Sequence, residues 1–286
     1  MRAFTLALAQ IQTTLGGTDA NLETHLEVIA RARRDGADLV VFPELSLTGY
    51  MLQDAAEDVA LVPSGEDPVF RRLLRASRSV DCVVGFVERD RRQQKYIAAA
   101  YLSRGETVHI HRKAYLPTYG LFQDGRFFSP GGEIRAFDTR FGRFGLLVCE
   151  DFWHVSSPYL LWLDGAELLL LTSASPGRGL DGEGRLETAR TVERIAQTYA
   201  SLFTVFVAQT NRIGFEDGLC YWGGAGVVGP DGRWIAQGPD FEESIVLAEI
   251  DPDSIRRARL RLPLLRDERP ELVARTLDRI MKQVPR

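Results

Sequence analysis

The sequence predicts a layered α/β fold, on three observations. Short apolar runs of strand length alternate with amphipathic helical segments along most of the 286 residues, the order that gives sheets covered by helices. The apolar runs lack strict polar/apolar alternation, as in strands buried on both faces. No Ser/Gly/Pro-rich linker divides the chain, so residues 1–286 read as one domain. Within it, residues to about 255 form the layered body and 256–286 a C-terminal helical extension.

Phe4 to Ile11 reads as the first strand. A helix follows from about Asn21 to Arg34, with Leu22, Leu26 and Ile29 on one face and Gly36 at its stop. Glu23, Glu27 and Arg31 at four-residue spacing mark its solvated face. Ala37 to Phe42 is a buried strand closed by Pro43. Strands are expected at Cys82 to Val87, Tyr96 to Leu102 and Thr107 to His111, then, after a long loop, at Arg143 to Cys149 and Glu167 to Leu171. A second helix runs from about Leu186 to Leu202, with Ala189, Val192, Ala196 and Tyr199 along it. Strands at Thr204 to Gln209, Ala225 to Val228, Trp234 to Gln237 and Ser244 to Ile250 complete the set. The C-terminal residues are Arg-rich and helical in pattern, broken at Pro263 and Pro270.

Composition excludes several classes. Hydrophobic residues at 45% are too many for a disordered chain. Thirty-five Lys and Arg against 39 Asp and Glu give a net charge of −4, which leaves no basic footprint for nucleic acid. The stretch Arg256 to Arg266, interleaved with Leu, Pro and acids, reads as a solvated helix or a subunit contact. No apolar run approaches bilayer length, and the start lacks the pattern of a secretory leader. Three cysteines, Cys82, Cys149 and Cys220, are odd in number and without CxxC spacing. A disulfide framework or cysteine-ligated zinc is therefore not expected, and the reducing cytoplasm is the expected location.

Three segments carry candidate chemistry. Cys149 ends an apolar strand and meets Glu150, Asp151 and Trp153 at once, a cleft-like setting, whereas the bland alternative is an inert buried thiol. Glu44 follows Leu39-Val-Val-Phe-Pro. A carboxylate at the end of a buried strand is partly desolvated, which raises its pKa toward general-base range. Lys113 alone would be a surface lysine. The aromatic-rich loop after it, Leu116 to Gly131, is too long for a mere connector. The strands ending in Phe-Pro-Glu44 and Val-Cys-Glu150 echo each other, both delivering polar groups where α/β sheets place their chemistry.

Together these segments resemble the nitrilase (carbon–nitrogen hydrolase) superfamily across nearly the whole chain. Ala37-Asp-Leu-Val-Val-Phe-Pro-Glu44 is similar to its first signature, Arg112-Lys113 with Leu-Pro following to its second, and Gly145-Leu-Leu-Val-Cys149-Glu-Asp151 to its third. The resemblance implies a four-layer αββα sandwich, with Glu44 as general base, Lys113 as oxyanion stabiliser and Cys149 as nucleophile. The loop Leu116-Pro-Thr-Tyr-Gly-Leu-Phe122 and Ser173-Ala-Ser-Pro176 further resemble the glutamine-hydrolysing domain of glutamine-dependent NAD synthetases, here as a free-standing relative. That likeness makes Tyr119, Glu150 and Ser173 or Ser175 contacts to an amide substrate, with Trp153 lining the same pocket. It also implies an even-numbered homo-oligomer, a dimer or larger.

Two positions depart from the pattern. Asp124 stands where the family's second glutamate is usual, one methylene shorter, and is expected to meet Lys113 or the attacking water. Ala225 stands where serine is common. Other motifs are set aside. Gly224-Ala-Gly226-Val-Val-Gly229 matches GxGxxG, but Pro230-Asp-Gly232 follows instead of a helix. His109 and His111 alternate on one strand, yet only His25 and His154 remain as further imidazoles, so neither a metal nor another cofactor is expected. Cys82 and Cys220 read as packing residues. The expected activity is thus hydrolysis of a small linear amide, glutamine-like or a carbamoyl amide, through a Cys149 thioester. The alternatives are a nitrilase acting on C≡N, and a glutaminase-like partner subunit or non-hydrolytic binding protein.

Overall fold

The computed structural model describes residues 1–283. Residues 284–286, the end of the expected helical extension, lie outside the described residues. In the first half, β1 (Phe4–Gln10), β2 (Leu39–Val41), β3 (Asp81–Arg89), β4 (Lys95–Ser103) and β5 (Glu106–Arg112) interleave with α1 (Thr18–Arg34) and α2 (Pro68–Ala76). After the one-turn α3 (Asp124–Phe127) come β6 (Phe137–Asp138), β7 (Arg143–Val148), α4 (Ser156–Leu163), β8 (Leu168–Ser173), α5 (Glu187–Phe203) and β9 (Phe206–Asn211). A hairpin of β10 (Ile213–Glu216) and β11 (Leu219–Trp222) precedes β12 (Gly226–Val228), β13 (Trp234–Gln237) and β14 (Ser244–Ile250). Helices α6 (Asp253–Arg261), α7 (Leu264–Asp267) and α8 (Pro270–Gln283) follow.

Two six-stranded sheets result, in the orders β14-β1-β2-β3-β4-β5 and β13-β12-β9-β8-β7-β6. Each has a parallel centre, β1-β2-β3 in one and β7-β8-β9 in the other. Strand β14 returns to the first sheet and pairs antiparallel with β1, Phe4 opposite Ile250.

Side chains alternate across a strand, and that alternation builds the layers. Leu6 and Leu8 of β1 meet Leu168 and Leu170 of β8 in the core between the sheets. Ala7 and Ala9 face the other way, under Leu22 and Ile29 of α1 and Phe70 and Leu73 of α2. On the far sheet, Leu169 and Leu171 pack beneath Leu161 of α4 and Tyr199 and Phe203 of α5. Three apolar layers between four structural ones make the αββα sandwich. Each fully buried Leu contributes about 1.5–3 kcal/mol, so Leu170→Ala would cost about 2–5 kcal/mol.

Differences from the sequence reading have local causes. Helix α1 begins at Thr18 rather than Asn21, because the Asn21 amide pins Thr14 and Leu47 backbone groups and does not cap. Helix α2 was announced by Asp67-Pro68 and passed over: Asp67 accepts from Val69 N (2.9 Å) and Phe70 N (3.1 Å), with Pro68 at the first helical position. The hairpin β10–β11 also went unread. The GxGxxG stretch is strand β12 and a turn into β13, with no helix behind it. Arg256 and Arg257 on α6, and Arg266 on α7, form exposed ion pairs with Asp253, Asp251 and Asp267. Among the described residues, no helix is long and apolar enough to cross a membrane.

Candidate functional site

The candidate residues gather at the carboxyl ends of the parallel strands. Glu44 lies just past β2, Lys113 directly after β5 and Cys149 directly after β7, while Ser173 ends β8. The Glu44 segment crosses β3 at Gly85. A Cβ there would sit 2.3 Å from the Pro43 carbonyl and 2.5 Å from Leu45 N, so only glycine admits this path.

Lys113, with no exposed surface, is held between two carboxylates. Its Nζ donates to Glu44 Oε1 and to Asp124 Oδ2, each at 2.8 Å. Glu44 Oε2 also accepts from Ala174 N at 2.7 Å. The shorter Asp124 therefore reaches the lysine. It does so from the first residue of α3, midway along the long loop.

Cys149 is not a strand residue, as the sequence reading had it. Strand β7 ends at Val148, and Cys149 opens a tight 3-10 turn with φ +47°. A non-glycine residue in this left-handed region is strained, and the turn aims its side chain off the strand axis.

The charges set the resting protonation. Burial raises the pKa of Glu44, and the Lys113 ammonium only partly offsets it. Burial also holds the Cys149 thiol well above its usual value, with the Glu44 carboxylate adding to the rise. The Lys113 ammonium pulls the other way and does not overcome them. Lys113 is already largely offset by two carboxylates, and burial decides the resting state of the thiol. Burial pulls the pKa of Lys113 down, but Glu44 and Asp124 more than reverse it, so the ammonium stays charged.

Sequence reasoning missed the residues that hold these groups. Asp151 is fully buried and accepts four hydrogen bonds. Oδ1 takes Ala114 N (2.9 Å) and Tyr115 N (3.0 Å), and Oδ2 takes Val148 N (3.0 Å) and His111 Nε2 (2.7 Å). It ties the Lys113 segment to the Cys149 turn. Burial would raise its pKa, yet the His111 bond and these donors bring it below the usual value. Tyr50 donates through its hydroxyl to Asp124 Oδ1 at 2.6 Å. Its backbone N donates to Glu216 Oε1 at 2.8 Å, and Glu216 is paired with buried Arg212. The one available sequence signal was Asp151 beside a candidate nucleophile. Nothing local marked Tyr50 or Glu216, 166 residues apart.

The expected substrate contacts fall into two places. Tyr119, half exposed, donates its hydroxyl to Glu150 (3.0 and 3.2 Å). Trp153, Ser173 and Ser175 line a narrow cleft together with Cys149. Two larger grooves run along α6, and Cys149, Glu44 and Lys113 line neither. His111 is committed to Asp151 and His109 stacks on Phe137 at 4.2 Å. Among the described residues, no group of three or more His, Cys, Asp or Glu side chains is placed to hold a metal ion. Cys82 is buried under the helices of the first layer, while Cys220 is only partly buried on β11.

A family model described as carbon-nitrogen hydrolase matches residues 5–260. The chain belongs to the carbon–nitrogen hydrolase family. It is similar to the glutamine-dependent NAD(+) synthetase of Acinetobacter baylyi, 30% identical over 90% of this chain and 46% of that protein. It therefore spans about half the length of the NAD(+) synthetases it matches. It is also similar to the N-carbamoylputrescine amidase of Arabidopsis thaliana, 26% identical over 88% of each chain. The nitrilase-superfamily protein Nit3 of Saccharomyces cerevisiae has the same fold. Its TM-score is 0.81 at 24% identity, over 92% of this chain and 95% of that one.

Proposed function

We propose that this carbon–nitrogen hydrolase cleaves a small linear amide, glutamine-like or a carbamoyl amide, through a thioester on Cys149. The observation that carries the reading is Lys113 after β5, buried between Glu44 past the end of β2 and Asp124 of α3, with the Cys149 thiol within the field of all three charges. The Cys149 proton passes to Glu44 as sulfur attacks the amide carbon. The tetrahedral oxyanion is met by the Lys113 ammonium and the backbone N–H of Glu150. Its collapse breaks the C–N bond, and Glu44 gives the proton to departing ammonia. Water then attacks the thioester with Glu44 as base, releasing a carboxylate and restoring the thiol. A neutral resting thiol supplies the proton, and a carboxylate whose proton affinity burial has raised is the better base to receive it.

The reading needs no metal or other cofactor. Its substrate classes are those of the relatives' names, which between them supply a glutamine amide and a carbamoyl amide. Ammonia release from glutamine, carbamoyl amides, simple ω-amides and nitriles, with Cys149→Ala as the blank, tests it. Turnover of amides that vanishes in the variant supports the reading. Turnover of nitriles alone moves the chain to C≡N hydrolysis, and unchanged turnover in Cys149→Ala removes the thioester.

A further inference from the structure

The cleft beside Cys149 contains an unused hydrogen-bonding pair. Trp222 and Gln209 both line it, and they are 1% and 4% exposed. Neither Trp222 Nε1 nor Gln209 Oε1 has a hydrogen-bond partner among the described residues. Gln209 is not free to turn: its Nε2 donates to the Gly224 carbonyl at 2.9 Å, which fixes which end of the amide is the acceptor. Trp222 is equally held. A Cβ on Gly224, at φ +69°, would lie 1.8 Å from the indole, so this glycine of the GxGxxG stretch exists to make room for the ring. Each buried polar atom left unpaired costs about 1–3 kcal/mol. A chain that fixes a lone donor and a lone acceptor next to a nucleophile has built a place for a ligand that offers the converse.

The cleft also limits that ligand's size and charge. It leaves room for about one water-sized group. Among the described residues no charged side chain lines it, and an ionised group entering it would lose hydration without gaining a counter-charge. The Ser175 backbone occupies the Asn211 amide, at 2.8 and 3.2 Å, so Asn211 does not compete. The group must be neutral, about the size of water, and able both to accept from an N–H and to donate to a carbonyl oxygen. A hydroxyl meets all three conditions.

We infer that Trp222 and Gln209 form a specificity pocket for a hydroxyl on the acyl chain of the amide substrate, Trp222 Nε1 donating to it and Gln209 Oε1 accepting from it. This rests on the proposed amide chemistry at Cys149. Charged ends of a substrate stay outside the cleft, which takes the neutral group.

The test uses amides that differ only by hydroxyl against methyl: glycolamide with propionamide, 3-hydroxypropanamide with butyramide, and 4-hydroxybutyramide with valeramide. At the chain length that reaches the cleft, the hydroxyl member is expected to have a kcat/KM about tenfold or more above its methyl partner. Trp222→Phe, which keeps an aromatic ring and removes the N–H, is expected to bring that ratio near one. The variant loses no hydrogen bond of the free protein, so its thermal midpoint should match the wild type or exceed it. Protection of Cys149 from iodoacetamide by each amide reads binding alone. If no amide is turned over but hydroxyl amides protect better in the wild type and not in Trp222→Phe, the pocket stands and the hydrolytic reading falls. Equal rates and equal protection within every pair, or a preference that survives in Trp222→Phe, would overturn the pocket and leave a site for a resident water only.

Discussion

Two buried ion networks make an instructive pair. In one, Arg212 faces Glu216, one charge against one, over the Tyr221 ring. In the other, Lys113 faces both Glu44 and Asp124. Both are desolvated and both are closed by backbone donors. The balanced pair holds structure, fixing the Tyr50 and Met51 amides at 2.8 Å. The unbalanced group keeps one negative charge in excess beside a thiol; burial raises the proton affinities of Glu44 and Cys149, and the neighbouring carboxylates add to the rise. Excess charge, rather than burial, separates a reactive network from a structural one.

The sharpest way to break this comparison is Lys113→Met. It leaves two carboxylates buried without a cation, so kcat should fall by about 10³-fold or more and stability by about 3–5 kcal/mol. Single-turnover kinetics and urea unfolding measure the two, and a kcat loss under tenfold would make Lys113 a structural residue. Arg212→Met comes next. Unfolding should again show a loss of about 3–5 kcal/mol, since Glu216 is left unpaired, but kcat in the surviving folded protein should fall far less than in Lys113→Met. Equal losses of kcat would erase the distinction.

Tyr50→Phe tests the link between the networks, because Tyr50 meets Glu216 through its amide and Asp124 through its hydroxyl. Losing that hydroxyl removes about 1 kcal/mol of stability and should lower kcat about tenfold with little change in KM. A change confined to KM would place Tyr50 in binding rather than in positioning Asp124.

The smallest effect is in pH. Glu44 has a raised pKa, so its share of stability is present below its unfolded value and declines as pH rises through the folded one. Asp151 has a lowered pKa, and its share is present above the unfolded value and lost as pH falls through the folded one. Urea midpoints followed from acid to neutral pH should therefore lose part of their acid-side fall in Asp151→Asn. Turnover should decline on the acid side while pH is still above the usual carboxylate range, and an acid limb inside that range would argue against Glu44 as the base.

Much of this was legible in the chain. Leu39-Val-Val and Leu168 to Leu171 are apolar on both faces because both faces are covered, and that pattern survives in one dimension. Glu44, Lys113 and Cys149 each sit beside a strand end, which strand reading located, while the resemblance to the family singled out the residues. Asp67-Pro68 was an equally local signal and was passed over. Tyr50, Glu216 and Trp222 carry no such mark, since their neighbours along the chain are not their neighbours in space.

The sequence by itself determined the layers and the strand ends beside which Glu44, Lys113 and Cys149 lie, because alternation and run length are short-range properties of the polymer. Tertiary structure decided the rest. It placed Lys113 against Asp124 despite the missing methylene, turned Cys149 into a left-handed backbone, and raised the thiol's proton affinity. It also left Trp222 Nε1 and Gln209 Oε1, on residues lining the cleft beside Cys149, without a partner among the described residues. These are matters of distance and desolvation between segments far apart in the chain, as Glu44 and Ala174 are at 130 residues, and such energies exist only once the sheets have packed.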